Sequence, residues 1–168
     1  MYKISLFLLI ALYACGDAAR PKDINKEKTT QGKNAIAKPV ITDLNDQTIN
    51  LEKYKGKTVF INFWATWCKP CREEMPSIQE AMKILKDAPV EFLFASDESK
   101  EQIEDFKDSH DYKFNYVRAE NLGALGIMGL PTTFIFNPRG ELIFSEMGYR
   151  KWDDKTNIDL ILNKVEPK

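Results

Sequence analysis

Val59-Phe60-Ile61-Asn62-Phe63-Trp64-Ala65-Thr66-Trp67-Cys68-Lys69-Pro70-Cys71-Arg72-Glu73-Glu74-Met75-Pro76 is the stretch around which the rest of the chain is organised. Its first half is apolar, β-branched and aromatic, which is the composition of a buried strand. Its second half sets Cys-x-x-Cys at the start of a helix-forming segment. A helix N-terminus carries free N–H groups and the positive end of the dipole, and both favour a thiolate over a thiol. Cys68 lies at the extreme N-terminus of that helix. It is expected to be the attacking thiol, solvent-accessible and with a depressed pKa. Cys71 lies one turn in and is expected to be the resolving thiol. Lys69 adds local positive charge, and Pro70 suits the first helical turn.

Two other uses of Cys-x-x-Cys fit less well. Structural zinc needs four ligands, and apart from the distant Cys15 the chain adds only His110 to this pair. A structural disulfide this short constrains little chain entropy, because the stabilisation grows with loop size. A redox pair at a strand-to-helix junction is the better reading.

The chain has 168 residues and 43% hydrophobic content, enough for one globular core and too little for two full domains. The 24 basic and 25 acidic residues leave a net charge of −1, so nothing suggests nucleic-acid binding. Of the three cysteines, Cys15 stands apart from the redox pair and needs its own explanation.

Lys3 followed by the apolar run Ile4–Ala14 reads as a signal peptide, since it is too short to span a bilayer. The run ends in Leu12-Tyr13-Ala14-Cys15, which resembles a bacterial lipoprotein box. That resemblance implies cleavage before Cys15 and a lipid on its sulfur. Residues 1–14 are therefore expected to be signal peptide, 15–37 a polar, lipid-anchored tether, and 38–168 the folded domain.

Within the domain, Val40–Leu44 and Gln47–Leu51 read as a hairpin, and Thr58–Trp64 as the strand into the cysteines. Ile78, Met82 and Leu85 recur at helical spacing, with Pro76 inside the helix and expected to kink it. Val90–Ala95 reads as a strand. Ser99-Lys100-Glu101-Gln102 fits a capping box, with Ile103, Phe106 and His110 following on one face. Phe114–Val117 reads as a short strand and Glu120–Ile127 as a short helix. Pro131 opens another strand, Asn137-Pro138-Arg139-Gly140 is a turn, and Glu141–Glu146 returns antiparallel. Ile158, Ile161, Leu162 and Val165 mark a last helix. Strands alternating with helices predict a mostly parallel α/β core with antiparallel hairpins at its edges.

Residues 64–76 resemble the active-site signature of the thioredoxin superfamily. More narrowly, they resemble that of the TlpA/ResA-like membrane-tethered thiol–disulfide oxidoreductases. The likeness runs over about residues 38–168 and takes in Asn62, Gly129-Leu130-Pro131-Thr132 and the segment Val90–Val117. It implies a thioredoxin-like α/β fold: a central mixed sheet flanked by helices, an N-terminal β-hairpin, and an extra segment before the proline-entered strand. It implies that Pro131 is cis and packs against the disulfide, with the backbone around Leu130 presented to an extended substrate. Asn62 stands where cytosolic thioredoxin has a buried, proton-moving Asp. Asn cannot titrate, and the TlpA/ResA-like pattern carries a Glu at the position of Glu74, so the resemblance implies Glu74 as the candidate proton carrier; the alternative is a solvated acid in the first turns of a helix. Trp67 is expected to shape the exposed rim beside Cys68, and His110 to sit on a helix rim.

The resemblance further implies a monomeric, extracytoplasmic oxidoreductase on the periplasmic side of a bacterial membrane, needing no cofactor. It would exchange Cys68–Cys71 with client proteins as a reductant, for example in cytochrome c maturation, and an upstream membrane electron donor would recharge it. Two rivals stay open. A peroxiredoxin-like peroxidase needs Thr-x-x-Cys, whereas Thr66-Trp67-Cys68 gives Thr-x-Cys. A copper-delivery protein on the same fold resembles Cys-x-x-x-Cys plus a distant His, and His110 is the sole histidine.

Overall fold

A hairpin of β1 (Val40–Thr42) and β2 (Thr48–Ile49) opens the described part of the chain, residues 39–163 of the computed structural model. The stretches expected to be signal peptide and tether, with Cys15, and Val165 lie outside the described residues. Then follow β3 (Thr58–Phe63), α1 (Lys69–Ile84), β4 (Val90–Ser96), α2 (Lys100–Ser109), β5 (Tyr116–Glu120), β6 (Thr132–Phe136), β7 (Leu142–Met147) and α3 (Lys155–Ile161). Short 3-10 helices stand at Leu51–Tyr54 and Leu122–Leu125.

The strands form one sheet in the order β2-β1-β5-β4-β3-β6-β7. Parallel pairing is confined to β3–β4 and β4–β5; the other pairs are antiparallel, so the sheet is mixed rather than mostly parallel. From β3 to β5 each crossover steps one strand outward in the same direction. Right-handed crossovers taken in one direction keep their helices on one face. Accordingly α1 and α2 bury residues in a single cluster with Phe60, Phe94 and Ile135, and α3, which follows β7, packs into the same cluster. The opposite face packs Ile61, Phe63, Leu93, Val117 and Phe134 under Tyr54, Leu125 and Ile127.

The two-residue period of β3 sorts its side chains between these faces. Val59, Ile61 and Phe63 take one side and Phe60 the other, with Trp64 beyond the strand end on the helix side. Asn62 shares the parity of Phe60, so it points towards α1. In β6, Ile135 shares the helix side, and Thr133, two residues before it, stands opposite Asn62 in the ladder.

Several boundaries moved. The strand predicted at Phe114–Val117 begins at Tyr116, because Phe114 lies flat on Phe94, ring centroids 3.7 Å apart, before pairing begins. The helix predicted at Glu120–Ile127 shrinks to one 3-10 turn, entered and left by Asn121 and Gly126 in the left-handed region. The capping box forms in full: Gln102 N–H donates to Ser99 Oγ, and Ser99 N–H to the Gln102 side chain. α1 runs through Pro76 and buries Cys71, Glu74, Met75, Ile78 and Ala81. His110 ends α2 and stacks on Phe106 at 3.9 Å.

Candidate active site

β3 is central and buried along its length, so it delivers Trp64–Cys68 from a rigid base. Cys68 is the N-cap of α1, with extended backbone, and its Sγ accepts the Cys71 N–H at 3.3 Å. That places sulfur where a helix supplies a donor and positive potential. Cys68 and Cys71 are joined as a disulfide, Cα atoms 5.3 Å apart. In this oxidised state Cys68 is 3% exposed and Cys71 is fully buried. The access expected for Cys68 is therefore slight here, because the loop packs its sulfur into the helix-side cluster. Trp67 stands out beside it, 71% exposed. Lys69 and Pro70 are exposed, and the Lys69 ammonium pairs with Glu73 at 3.5 Å, an exposed i,i+4 pair of small energetic weight. The Leu130–Pro131 peptide bond is cis, Pro131 is buried, and its carbonyl accepts the Gly148 N–H at 2.8 Å.

Glu74 is not a solvated acid. It is fully buried one helical turn after Cys71, on the same face of α1. Asn62 Nδ2 donates to its Oε1 at 2.7 Å and to Thr133 Oγ1 at 3.1 Å. The Arg150 backbone N–H donates to its Oε2 at 3.1 Å. The Trp152 indole N–H bears on the same carboxylate without reaching hydrogen-bond geometry. Burial dominates these donors and pushes the Glu74 carboxyl up from 4.5 to about 7. A buried acid that titrates near neutrality, beside a dithiol, can hold and release a proton during exchange.

Glu98 escaped the sequence reading. Its carboxylate accepts the Thr66 N–H at 2.7 Å, the Thr66 hydroxyl at 2.6 Å and the Ser96 hydroxyl at 3.2 Å. It thereby ties the cysteine loop to the end of β4. A signal existed: both segments leave the carboxyl ends of adjacent parallel strands, where α/β sites gather. Replacing Glu98 with alanine leaves the half-buried Thr66 donors without this acceptor, at a cost of up to about 1–3 kcal/mol. The expected result is a lower urea midpoint together with slower exchange at Cys68, while Glu98→Gln, which keeps an acceptor, falls between. Equal exchange rates in all three proteins would refute the role.

Among the described residues no group of three or more His, Cys, Asp or Glu is placed to hold a metal ion.

A central strand ending in a helix-capping disulfide, with a cis-proline strand beside it, defines a thioredoxin-fold redox protein. The chain belongs to the AhpC/TSA family, whose model matches residues 31–145, and it is a thiol–disulfide oxidoreductase of the ResA type. It is 35% identical to the thiol–disulfide oxidoreductase ResA of Bacillus thuringiensis subsp. konkukian over 166 residues, 96% of this chain and 94% of that protein. It is 37% identical to ResA of Bacillus subtilis over 122 residues, 70% of this chain and 68% of that protein. In fold it is similar to the crystal structure of the thiol:disulfide interchange protein DsbE of Chlorobium tepidum. That likeness has a TM-score of 0.66 and 21% identity, over 76% of this chain and 93% of the other. It is also similar in fold to the exposed lipoprotein thioredoxin Etrx1 of Streptococcus pneumoniae, at TM-score 0.59 and 24% identity, over 76% of this chain and 98% of that one.

Proposed function

We propose that the Cys68–Cys71 pair works as an extracytoplasmic reductant of client disulfides, with Cys68 as nucleophile, Cys71 as resolving thiol and Glu74 as proton carrier. The observation that carries the assignment is the asymmetry of the site: Cys68 caps the helix and receives an N–H, while Cys71 is buried one turn from Glu74.

In the reduced protein the Cys68 thiolate attacks one sulfur of a client disulfide, and the other client sulfur leaves as a thiolate. Cys71 then gives its proton to Glu74, and its thiolate attacks Cys68 Sγ. The Cys68–Cys71 disulfide closes and the second client thiolate departs, so two electrons have passed to the client. Glu74 passes its proton on, and a membrane donor of electrons recharges the pair. Trp67 and the chain around Leu130 and Pro131 form the rim on which the client lies. The family resemblance suggests apocytochrome c as one client, and the Leu12–Cys15 segment suggests a lipid anchor at Cys15 on a monomer.

The test is the reduction potential of the pair, read by equilibration with dithiothreitol buffers. A reductant is expected at or below about −270 mV, thioredoxin's own value, whereas a potential near −120 mV would mark an oxidant and sink the proposed direction. Peroxide consumption by the reduced protein would favour the peroxidase rival, and tight copper binding would favour the delivery rival.

A further inference from the structure

Residues 148–152, between β7 and α3, belong to no helix or ladder, yet they bring the Arg150 N–H and the Trp152 indole to the buried carboxylate. Besides the Arg150 N–H on Glu74, two further main-chain N–H groups dock this segment on its neighbours. Gly148 N–H donates to Pro131 O at 2.8 Å, and Trp152 N–H to Ser77 Oγ at 3.1 Å. The Ser77 hydroxyl in turn donates to Glu74 O at 2.8 Å. What crosses the segment sideways is the Arg150 guanidinium. It donates to Asn157 Oδ1 of α3 at 2.8 Å and to Glu146 of β7, and it lies over the rings of Phe144 at 5.1 Å and Trp152 at 5.8 Å. Asn157 closes the loop by donating to Lys151 O at 2.7 Å. A planar fork that meets two acceptors and two rings has few other geometries available to it.

We propose that Arg150 is a positioning residue for thiol exchange: its guanidinium staples the β7–α3 segment so that the Arg150 N–H stays on the Glu74 carboxylate. The proposal deepens the reading of Glu74 as proton carrier and rests on it for any effect on turnover. It acts through geometry. The groups facing Glu74 are Asn62 from β3, Arg150 and Trp152 from the segment, and Cys71 and Ser77 on its own helix. The charges on the packed elements are engaged elsewhere: Arg150 with Glu146, and Lys151 with Asp153 and Asp154. An N–H donor favours the charged carboxylate, so a loosened segment makes Glu74 hold its proton more tightly.

The experiment is a carbon-13 NMR titration of the Glu74 carboxyl, identified by its loss in Glu74→Gln, alongside the pH profile of disulfide exchange. In Arg150→Met the midpoint is expected to rise by about 1 pH unit, the scale of a lost donor to a buried carboxylate. The same rise is expected in Asn157→Ala, which keeps the arginine charge and serves if Arg150→Met does not fold. Arg150→Lys keeps the cation without the fork and is expected to rise as well. An unchanged midpoint in Arg150→Met or Asn157→Ala overturns the proposal, as does a lysine variant that restores the wild-type value. A midpoint that moves while the exchange profile stays put supports the staple and refutes Glu74 as proton carrier.

Discussion

Replacing Cys71 with serine is expected to stop exchange half-way, with the client held on Cys68 as a mixed disulfide and turnover reduced to the uncatalysed background. The backbone N–H of residue 71 survives the substitution, so the sulfur at the helix cap keeps its donor. Cys68 should therefore still form a thiolate below the free-cysteine value of about 8.5 and attack. The serine hydroxyl cannot attack the mixed disulfide, because release depends on a second thiolate. Intact mass under non-reducing conditions would show the adduct, and dithiothreitol would remove it. Cys68→Ser is expected to form none, since Cys71 lies inside the first helical turn without the capping N–H that Cys68 receives. An adduct that accumulates in Cys68→Ser instead would reverse the two roles.

The oxidised domain is expected to lose about 3 kcal/mol of stability as pH rises from 4.5 to above 7. The Glu74 carboxyl titrates at about 7 in the folded state against 4.5 otherwise. In that window the folded protein keeps a proton that the unfolded chain has released. Stability falls with pH wherever the native state binds more protons, by about 1.36 kcal/mol per pH unit. Exposed acids held below their ordinary values, Glu101, Asp111 and Glu141, contribute with the opposite sign and at lower pH. Tyr116, raised by burial, acts only in alkali. Urea denaturation across pH 4.5–8 would display the slope, and Glu74→Gln should flatten it and be the more stable protein at pH 8. A flat wild-type profile, or an unaltered slope in Glu74→Gln, would refute the account.

Both expectations turn on residues that differ in how far the chain announced them. The cysteines were legible because their chemistry is local: a strand, a turn and a helix start are written within residues 59–76, and a helix N-terminus activates whatever thiol caps it. The capping box at Ser99 was legible for the same reason. Glu74 was half legible. Its place one turn after Cys71 follows from helical spacing, but its charge and its position in a first turn fit a solvated acid equally well. Only the packing of β3, β6 and the β7–α3 segment over α1 removes water from it.

Determined by the sequence alone were the redox pair, the strand that presents it, the helix that it caps and the family that it resembles. Each depends on residues within a turn or two of one another, or on a motif read whole. The tertiary structure decided the rest: that Asn62 meets both Glu74 and Thr133, that Glu98 holds Thr66, and that Arg150 reaches from β7 to α3. The partners that join separate elements around Glu74 and Thr66 lie between 12 and 71 residues apart along the chain. No periodicity records such a pairing, because it comes from sheet order and register, and the burial that raises Glu74 is a property of the assembled core rather than of any segment in it.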